Sequence, residues 1–522
     1  MAATRHCSSV VGGEPVTGGT GPTLSSTNPA LLRDVVAEVA LATPKTFLEA
    51  CRVGKDAQDG WAQVPAPIRG RVVAEIGRIV EANKEELSRL VTREVGKPLA
   101  EARGEVQEII DTCDFFLGEG RRLYGETVPS EMRDKALFTF RMPVGNVAVV
   151  TAGNFPVAVP SWYLVPALLC GNSVVWKPAE YSAAVATALY ECFVAGGLPP
   201  GVLNLVLCDG PATFEGLALG LADHVIDKVG FTGSSAVGSK VGELCGRHVQ
   251  SACLELGGKN PMVIMPDADL ELAVEGALFS GFGTAGQRCT SLGTAIVHAS
   301  VHDAFLDRLL ERLDASPIGD PFADVLYGPM LDARFADRFL EYLETLVEPH
   351  HVLLGAATPG RISATSAPRA GFLGDPDAGV FCHPAVVDGV RIDDELARTE
   401  TFGPMVAVAS FDTFDEAMAI ANCSGYGLSS SIYTNSPQAV FAFRSGISAG
   451  MVSVNNSTSG AEAHLPFGGN GRSGNGSRQS GRWVLDQMTR WQSMNWDYSG
   501  HLQKAQMDTD TVVADRGFRV VP

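Results

Sequence analysis

The sequence predicts an α/β protein of two lobes, each built on a parallel, doubly wound sheet, with a small antiparallel element beside them. Three observations carry this. A chain of 522 residues exceeds what one hydrophobic core organises. Two successive regions alternate short β-branched runs with amphipathic stretches, the pattern of strands joined by crossover helices. Between the first helices and the first such region, Ala136-Leu137-Phe138-Thr139-Phe140-Arg141 alternates apolar and polar residues as an antiparallel strand does.

Taken in order, residues 1–30 are rich in Gly, Ser, Thr and Pro and are expected as a flexible segment. Residues 62–95 have helical periodicity, with Val72, Val73, Ile76, Ile79 and Val80 on one face, and Pro98 interrupts it. A second helix carries Val106, Ile109, Ile110 and Cys113, with Glu105 and Glu108 among them. From Gly145 the runs 146–151, 173–176, 202–206 and 228–231 read as buried strands, with a helix at 183–195 closed by a Gly/Pro-rich turn. Phe231-Thr232-Gly233-Ser234-Ser235-Ala236-Val237-Gly238 is a strand–turn–helix whose first amides suit a phosphate. After Gly257, strands are expected at 262–265, 294–298, 385–387 and 405–410, and helices at 301–313 and 334–346. Residues 354–381 form a surface loop, and no internal repeat is present.

Composition narrows the class. The chain is 45% hydrophobic and 19% charged, as an ordinary globular protein is. A net charge of -19 excludes a nucleic-acid partner, which needs clustered Lys and Arg. No secretory or membrane-spanning segment is found, and eleven scattered cysteines without CxxC pairs point to a cytoplasmic protein with reduced thiols. Most of these, such as Cys170, are expected as inert core packing.

The chemistry is concentrated in Leu254-Glu255-Leu256-Gly257-Gly258-Lys259 and Gly286-Gln287-Arg288-Cys289-Thr290. A thiol that attacks and a carboxylate that activates water are the two parts needed to oxidise an aldehyde through a thioester. Cys289 is either that nucleophile or a buried inert thiol; the adjacent Arg288 is expected to favour its thiolate. Glu255 is a surface acid or, among Cys253, Leu254 and Leu256, a base of raised pKa. Asn154, in Thr151-Ala152-Gly153-Asn154-Phe155-Pro156, is a turn asparagine or a fixed amide donor for an oxyanion.

With these stand Trp176-Lys177-Pro178-Ala179-Glu180, Phe231-Thr232-Gly233-Ser234, Glu400-Thr401-Phe402-Gly403-Pro404 and Pro466-Phe467-Gly468-Gly469. On these seven motifs, which follow the family's order and spacing along the chain, the chain resembles the aldehyde dehydrogenase superfamily over residues 30–500. The resemblance implies a Rossmann-type NAD-binding domain (31–124 and 144–256), a catalytic domain (257–470) and a β-hairpin oligomerisation element (125–143 and 488–500). A tail follows at 501–522. It makes Cys289 the nucleophile, Glu255 the deacylating base, and Asn154 with the Cys289 backbone N–H the oxyanion donors. Lys177 and Glu180 would hold the adenosine ribose, Ser234 the pyrophosphate and Glu400 the nicotinamide ribose. Thr151, Gly233, Leu256, Gly257 and Phe402 complete the cofactor set. A carboxylate at Glu180 repels a 2′-phosphate, so NAD is favoured while NADP remains possible; no metal is required. The family often carries Trp where Gly153 stands and a second acid where Thr399 stands.

The motifs come nearest to the groups that oxidise 2-oxoglutarate semialdehyde and α-aminoadipic semialdehyde. This implies a small-molecule semialdehyde with a distal carboxylate, held by Arg288 and the amides of Gly460 and Ala461. Phe155, Trp162 and Phe467 would line the tunnel. Arg288 could instead form a salt bridge to a nearby acid. A homodimer or homotetramer is expected, with no nucleic-acid or membrane partner. Two other classes stay open: a coenzyme-A-acylating relative, which typically lacks the acid found at Glu255, and a non-catalytic NAD-binding protein on the same fold.

Overall fold

The computed structural model describes residues 3–17, 20–354, 360–504 and 514–521. Parts of the amino-terminal segment, the 354–381 loop and the tail therefore lie outside the described residues. Five parallel strands form the centre of the first sheet, in the spatial order Ala252–Glu255, Lys228–Thr232, Asn146–Val150, Ser173–Lys177, Leu203–Leu205. Asn146–Val150 and Ser173–Lys177 are buried throughout, as strands covered by helices on both faces must be. Strand order runs outward from Asn146–Val150 and then restarts on its other side, creating the reversal where such sheets bind ligands, beyond the carboxyl ends of the strands.

The helices that bear on the site are, in chain order, α1 (Pro44–Gln63), α2 (Ala66–Ala82), α3 (Lys84–Val95), α4 (Leu99–Glu119), α5 (Ala158–Leu169), α6 (Ala183–Ala195), α7 (Gly210–Ala222), α8 (Ser235–Arg247) and α9 (Leu270–Phe282). The periodic stretch 62–95 is divided, because α2 begins only after Pro65 and ends at Asn83. Gly96 ends α3 with φ 77, a left-handed cap that glycine adopts without a Cβ clash. Val106, Ile109, Ile110 and Cys113 of α4 are buried as the periodicity requires, but so is Glu105.

Six parallel strands form the second sheet, in the order Ala385–Asp388, Met405–Phe411, Leu292–His298, Asn260–Ile264, Ser429–Tyr433, Met451–Val454, with Val352–Leu354 antiparallel at one edge. A separate antiparallel sheet joins Thr127–Val128, Lys135–Pro143 and Thr489–Asp497, with Trp491 and Trp496 exposed on it.

The segment 1–30, expected to be flexible, is instead largely strand. Arg5–Cys7 and Thr20–Asn28 flank the strand Leu31–Ala42, while Val10–Val11 and Glu14–Pro15 extend the first sheet. Its polar residues do not prevent this because their hydroxyls find backbone partners. Ser9 Oγ accepts from Leu207 N at 2.9 Å, and Ser26 Oγ donates to the Tyr181 carbonyl at 3.3 Å. All eleven cysteines are free, and only Cys289 and Cys423 are not fully buried. Among the described residues no helix is long and apolar enough to cross a membrane.

Candidate active site

Cys289 lies on the turn entering the strand Leu292–His298. That turn is built from three consecutive left-handed residues: Thr284 (φ 52), Ala285 (φ 54) and Gly286 (φ 68). The two that are not glycine are each strained by on the order of 1–3 kcal/mol, so surrounding contacts must hold them. Asn260, buried at the start of the neighbouring strand, supplies some. Its Nδ2 donates to the carbonyls of Cys289 (2.8 Å) and Ser291 (2.7 Å), while its Oδ1 accepts from Ser429 N (3.0 Å). Glu101 of α4 supplies others, accepting from Thr284 N at 3.2 Å and from the Thr284 hydroxyl.

Burial, followed by the negative charges of Glu255 and Glu400, pushes the Cys289 thiol up to about 12. The N–H groups of Cys289 and Thr290 pull the other way. The expected thiolate-favouring role of Arg288 is not what the structure shows. The guanidinium is ion-paired with Glu101 and stacks 4.5 Å over the Phe279 ring, so its charge is spent elsewhere. Deprotonating this thiol needs a base.

Two bases are at hand. Glu255, at the end of the strand Ala252–Glu255, is pushed up to about 8 by burial, and its Oε1 accepts from Gly469 N at 3.0 Å. Burial pushes Glu400 up to about 7, and Glu400 Oε1 accepts from Gly258 N at 3.1 Å. A Cβ at Gly257 would collide with the Glu400 carboxylate, which would have to move. Asn154 is buried, and its Nδ2 donates to the Gln287 carbonyl at 2.8 Å, tying the first-sheet loop to the nucleophile turn. A Cβ at Gly153 would meet the Tyr181 ring at 2.5 Å, so that ring occupies the space a larger residue would need.

The cofactor candidates cluster at the carboxyl ends of the first sheet. Lys177 Nζ and Glu180 Oε2 are 3.3 Å apart just past one strand. Thr151 Oγ1 accepts from Trp176 Nε1 at 3.0 Å. Gly233 N donates to the Glu255 carbonyl at 3.1 Å, and Ser234 caps α8. Leu256 N donates to the Ser473 carbonyl at 2.9 Å, and Phe402 adopts φ 46 beside Glu400. An open helix amino end, a Lys/Glu pair and a glycine against Glu400 suit a dinucleotide laid across the strand ends.

Beyond Cys289 runs a cavity of about 410 Å³, lined by Phe155, Trp162, Arg288, Gly460, Ala461 and Phe467 among others. The Trp162 and Phe467 ring centres are 4.4 Å apart. Its other wall is α4, where Glu101, Glu105 and Glu108 share one face, four and three residues apart. Glu105 is paired with buried Lys97, and burial together with Glu105 pushes Glu108 up to about 8. Sequence reasoning did not reach Asn260, Lys97 or Glu101. The available signal was acids and an amide standing among apolar neighbours.

The fold and this arrangement define an oxidoreductase with a cysteine centre, and the family follows from comparison. The aldehyde dehydrogenase family matches residues 16–494, and the chain belongs to that family. It is 35% identical to the alpha-ketoglutaric semialdehyde dehydrogenase of Bacillus subtilis over 92% of this chain and 96% of that one. It is also 35% identical to the alpha-aminoadipic semialdehyde dehydrogenase of Bos taurus, over 94% and 88%. The structure is similar to betaine aldehyde dehydrogenase from Staphylococcus aureus crystallised with NAD+, at TM-score 0.89 and 28% identity, covering 95% of this chain and 96% of that one.

Proposed function

We propose that this protein uses NAD to oxidise a semialdehyde bearing a distal carboxylate to the dicarboxylic acid. Cys289 Sγ attacks the carbonyl carbon after losing its proton to a nearby carboxylate. The oxyanion is met by the Cys289 N–H and by Asn154, whose one bond to Gln287 fixes the amide and leaves its second N–H for the substrate. NAD, when bound, supplies the acceptor for the hydride that converts the thiohemiacetal to a thioester. Lys177 and Glu180 would hold its adenosine ribose, Ser234 its pyrophosphate and Glu400 its nicotinamide ribose, with Thr151, Gly233, Leu256, Gly257 and Phe402 shaping the channel. Glu255, once ionised, takes a proton from water and the thioester is hydrolysed. With that base present, water rather than coenzyme A is the acyl acceptor.

The observation that carries the substrate class is Arg288. Its Nε is buried in the cavity wall and has no hydrogen-bond partner among the described residues. Arg288 lines the same cavity as Gly460 and Ala461, and a cation beside backbone amides suits a carboxylate. Glu101 already pairs with the guanidinium, so Arg288 offers a carboxylate less than a free two-pronged fork would. The expected salt bridge and the expected substrate contact thus share one residue.

An aldehyde panel run with NAD and with NADP, on the parent and on Arg288→Ala, tests this. KM should rise far more for carboxylate-bearing semialdehydes than for neutral aldehydes of equal length, and equal losses for both overturn the assignment. The sheet of Thr127–Val128, Lys135–Pro143 and Thr489–Asp497 is proposed to pair subunits into a dimer or a dimer of dimers. Light scattering would report it. The two lobes, 31–124 with 144–256 and then 257–470, are proposed as the cofactor-binding and catalytic domains.

A further inference from the structure

The reaction above assigns nothing to the acidic face of α4, yet that face is chemically improbable as plain scaffold. The Lys97 and Glu105 side chains are both 0% exposed and paired with each other. A buried ion pair of this kind gains little stability over apolar residues of the same size. What Glu105 does gain is position. Its Oε1 accepts from Val157 N at 2.8 Å and Ala158 N at 3.2 Å, the first amides of α5, immediately after the Asn154-Phe155-Pro156 loop. Lys97 Nζ lies 3.3 Å from the centre of the Phe155 ring in that same loop.

One turn earlier on α4, Glu101 accepts from the amide and hydroxyl of Thr284 and pairs with Arg288. Those residues bracket the left-handed turn that presents Cys289. The Asn154 loop comes off the first sheet and the Cys289 turn enters the second. Side chains four residues apart leave one helix face with their Cβ atoms roughly 6 Å apart, so the helix sets where both acids start. The helix face therefore spans the junction between the lobes and fixes one loop against the other.

We infer that Glu101 and Glu105 are positioning residues that set the thiol of Cys289 and the amide of Asn154 in mutual register. This rests on the nucleophile and oxyanion roles given to those two residues. Neither acid needs to touch the reacting carbonyl. A displacement of about 1 Å between nucleophile and oxyanion donor is enough to cost roughly a hundredfold in rate.

The test uses the full chain and the variants Glu105→Gln, Glu101→Gln and Thr284→Gly. The last keeps a residue at home with positive φ but removes the hydroxyl that Glu101 holds. In each, the pre-steady-state rate of cofactor reduction is expected to fall about tenfold or more, and kcat falls once that step becomes the slow one. NAD affinity, read by quenching of tryptophan fluorescence, should stay as in the parent. Alkylation of Cys289 by iodoacetamide should slow in Glu101→Gln and Thr284→Gly. Folded variants that keep the parent's burst rate overturn the proposal, even where their melting temperature drops. Should a Gln variant not fold, Thr284→Gly alone decides: an unchanged burst overturns the inference and a slowed one supports it. A parent inactive toward every aldehyde would instead sink the nucleophile and oxyanion roles, and this inference with them.

Discussion

The two parallel sheets contribute to the site from opposite ends. In the first, the segments bearing Asn154, Lys177, Gly233 and Glu255 all lie at or just past the carboxyl ends of strands, and several lead directly into helices. In the second, Gly258, Cys289 and Glu400 all precede the strands they belong to, at the amino ends. The first arrangement is largely self-supporting, since a strand end followed by a helix start aims several amides at one point. A loop running into a strand has no helix amino end to organise it. There the side chains of Asn260 and Glu101 take over, pinning the Cys289 turn through its carbonyl and through Thr284. The first-sheet edge, proposed to bind the cofactor, is held mainly by backbone, and the edge that bears Cys289 by buried polar side chains.

The comparison can be broken or sharpened by substitution. The largest effect is expected for Cys289→Ala, a loss of kcat of roughly 10⁴-fold or more, measured as aldehyde-dependent cofactor reduction. Glu255→Gln should follow, with a loss of about 10²–10⁴-fold. Because its carboxyl is pushed up to about 8 and works as a base only when ionised, parent activity should rise as pH rises through about 8. The Gln variant should lose that rise yet keep its first burst of cofactor reduction, since the acyl-enzyme still forms.

Asn260→Ala removes the clamp on the Cys289 carbonyl and should cost about 10- to 100-fold in kcat with little change in NAD affinity. The smallest effect is expected for Ser234→Ala. The hydroxyl it removes could give the pyrophosphate one hydrogen bond, worth about 1 kcal/mol, so NAD should bind only several-fold more weakly, measured by fluorescence titration. If Ser234→Ala cost as much as Asn260→Ala, the contrast between backbone-held and side-chain-held edges would fail.

The same contrast explains what could be read from sequence. The strands Asn146–Val150, Ser173–Lys177 and Lys228–Thr232 announce themselves as β-branched runs, and the strand-end rule then places Lys177, Glu180 and Ser234. Cys289 was reachable through the order of motifs, but its surroundings were not. Arg288 stands next to the thiol in sequence, yet its guanidinium is paired with Glu101, so adjacency misstates the electrostatics. Sequence periodicity puts Glu105 and Glu108 on a helix without giving them a role, and only tertiary packing reveals that Glu101 and Glu105 reach the loops beside the two sheets. The amino-terminal strands were missed for a related reason: Ser, Thr and Gly look unstructured until their hydroxyls are seen bonded to backbone.

The thiol inventory has a consequence for how this protein ages. A reagent or peroxide meeting eleven cysteines finds only Cys289 and Cys423 within reach. Oxidation proceeds through the anion, and the same desolvation that lifts the Cys289 thiol to about 12 keeps that anion scarce in the resting protein. The sulfur proposed as the nucleophile is thereby a poor target for oxidants in the resting protein.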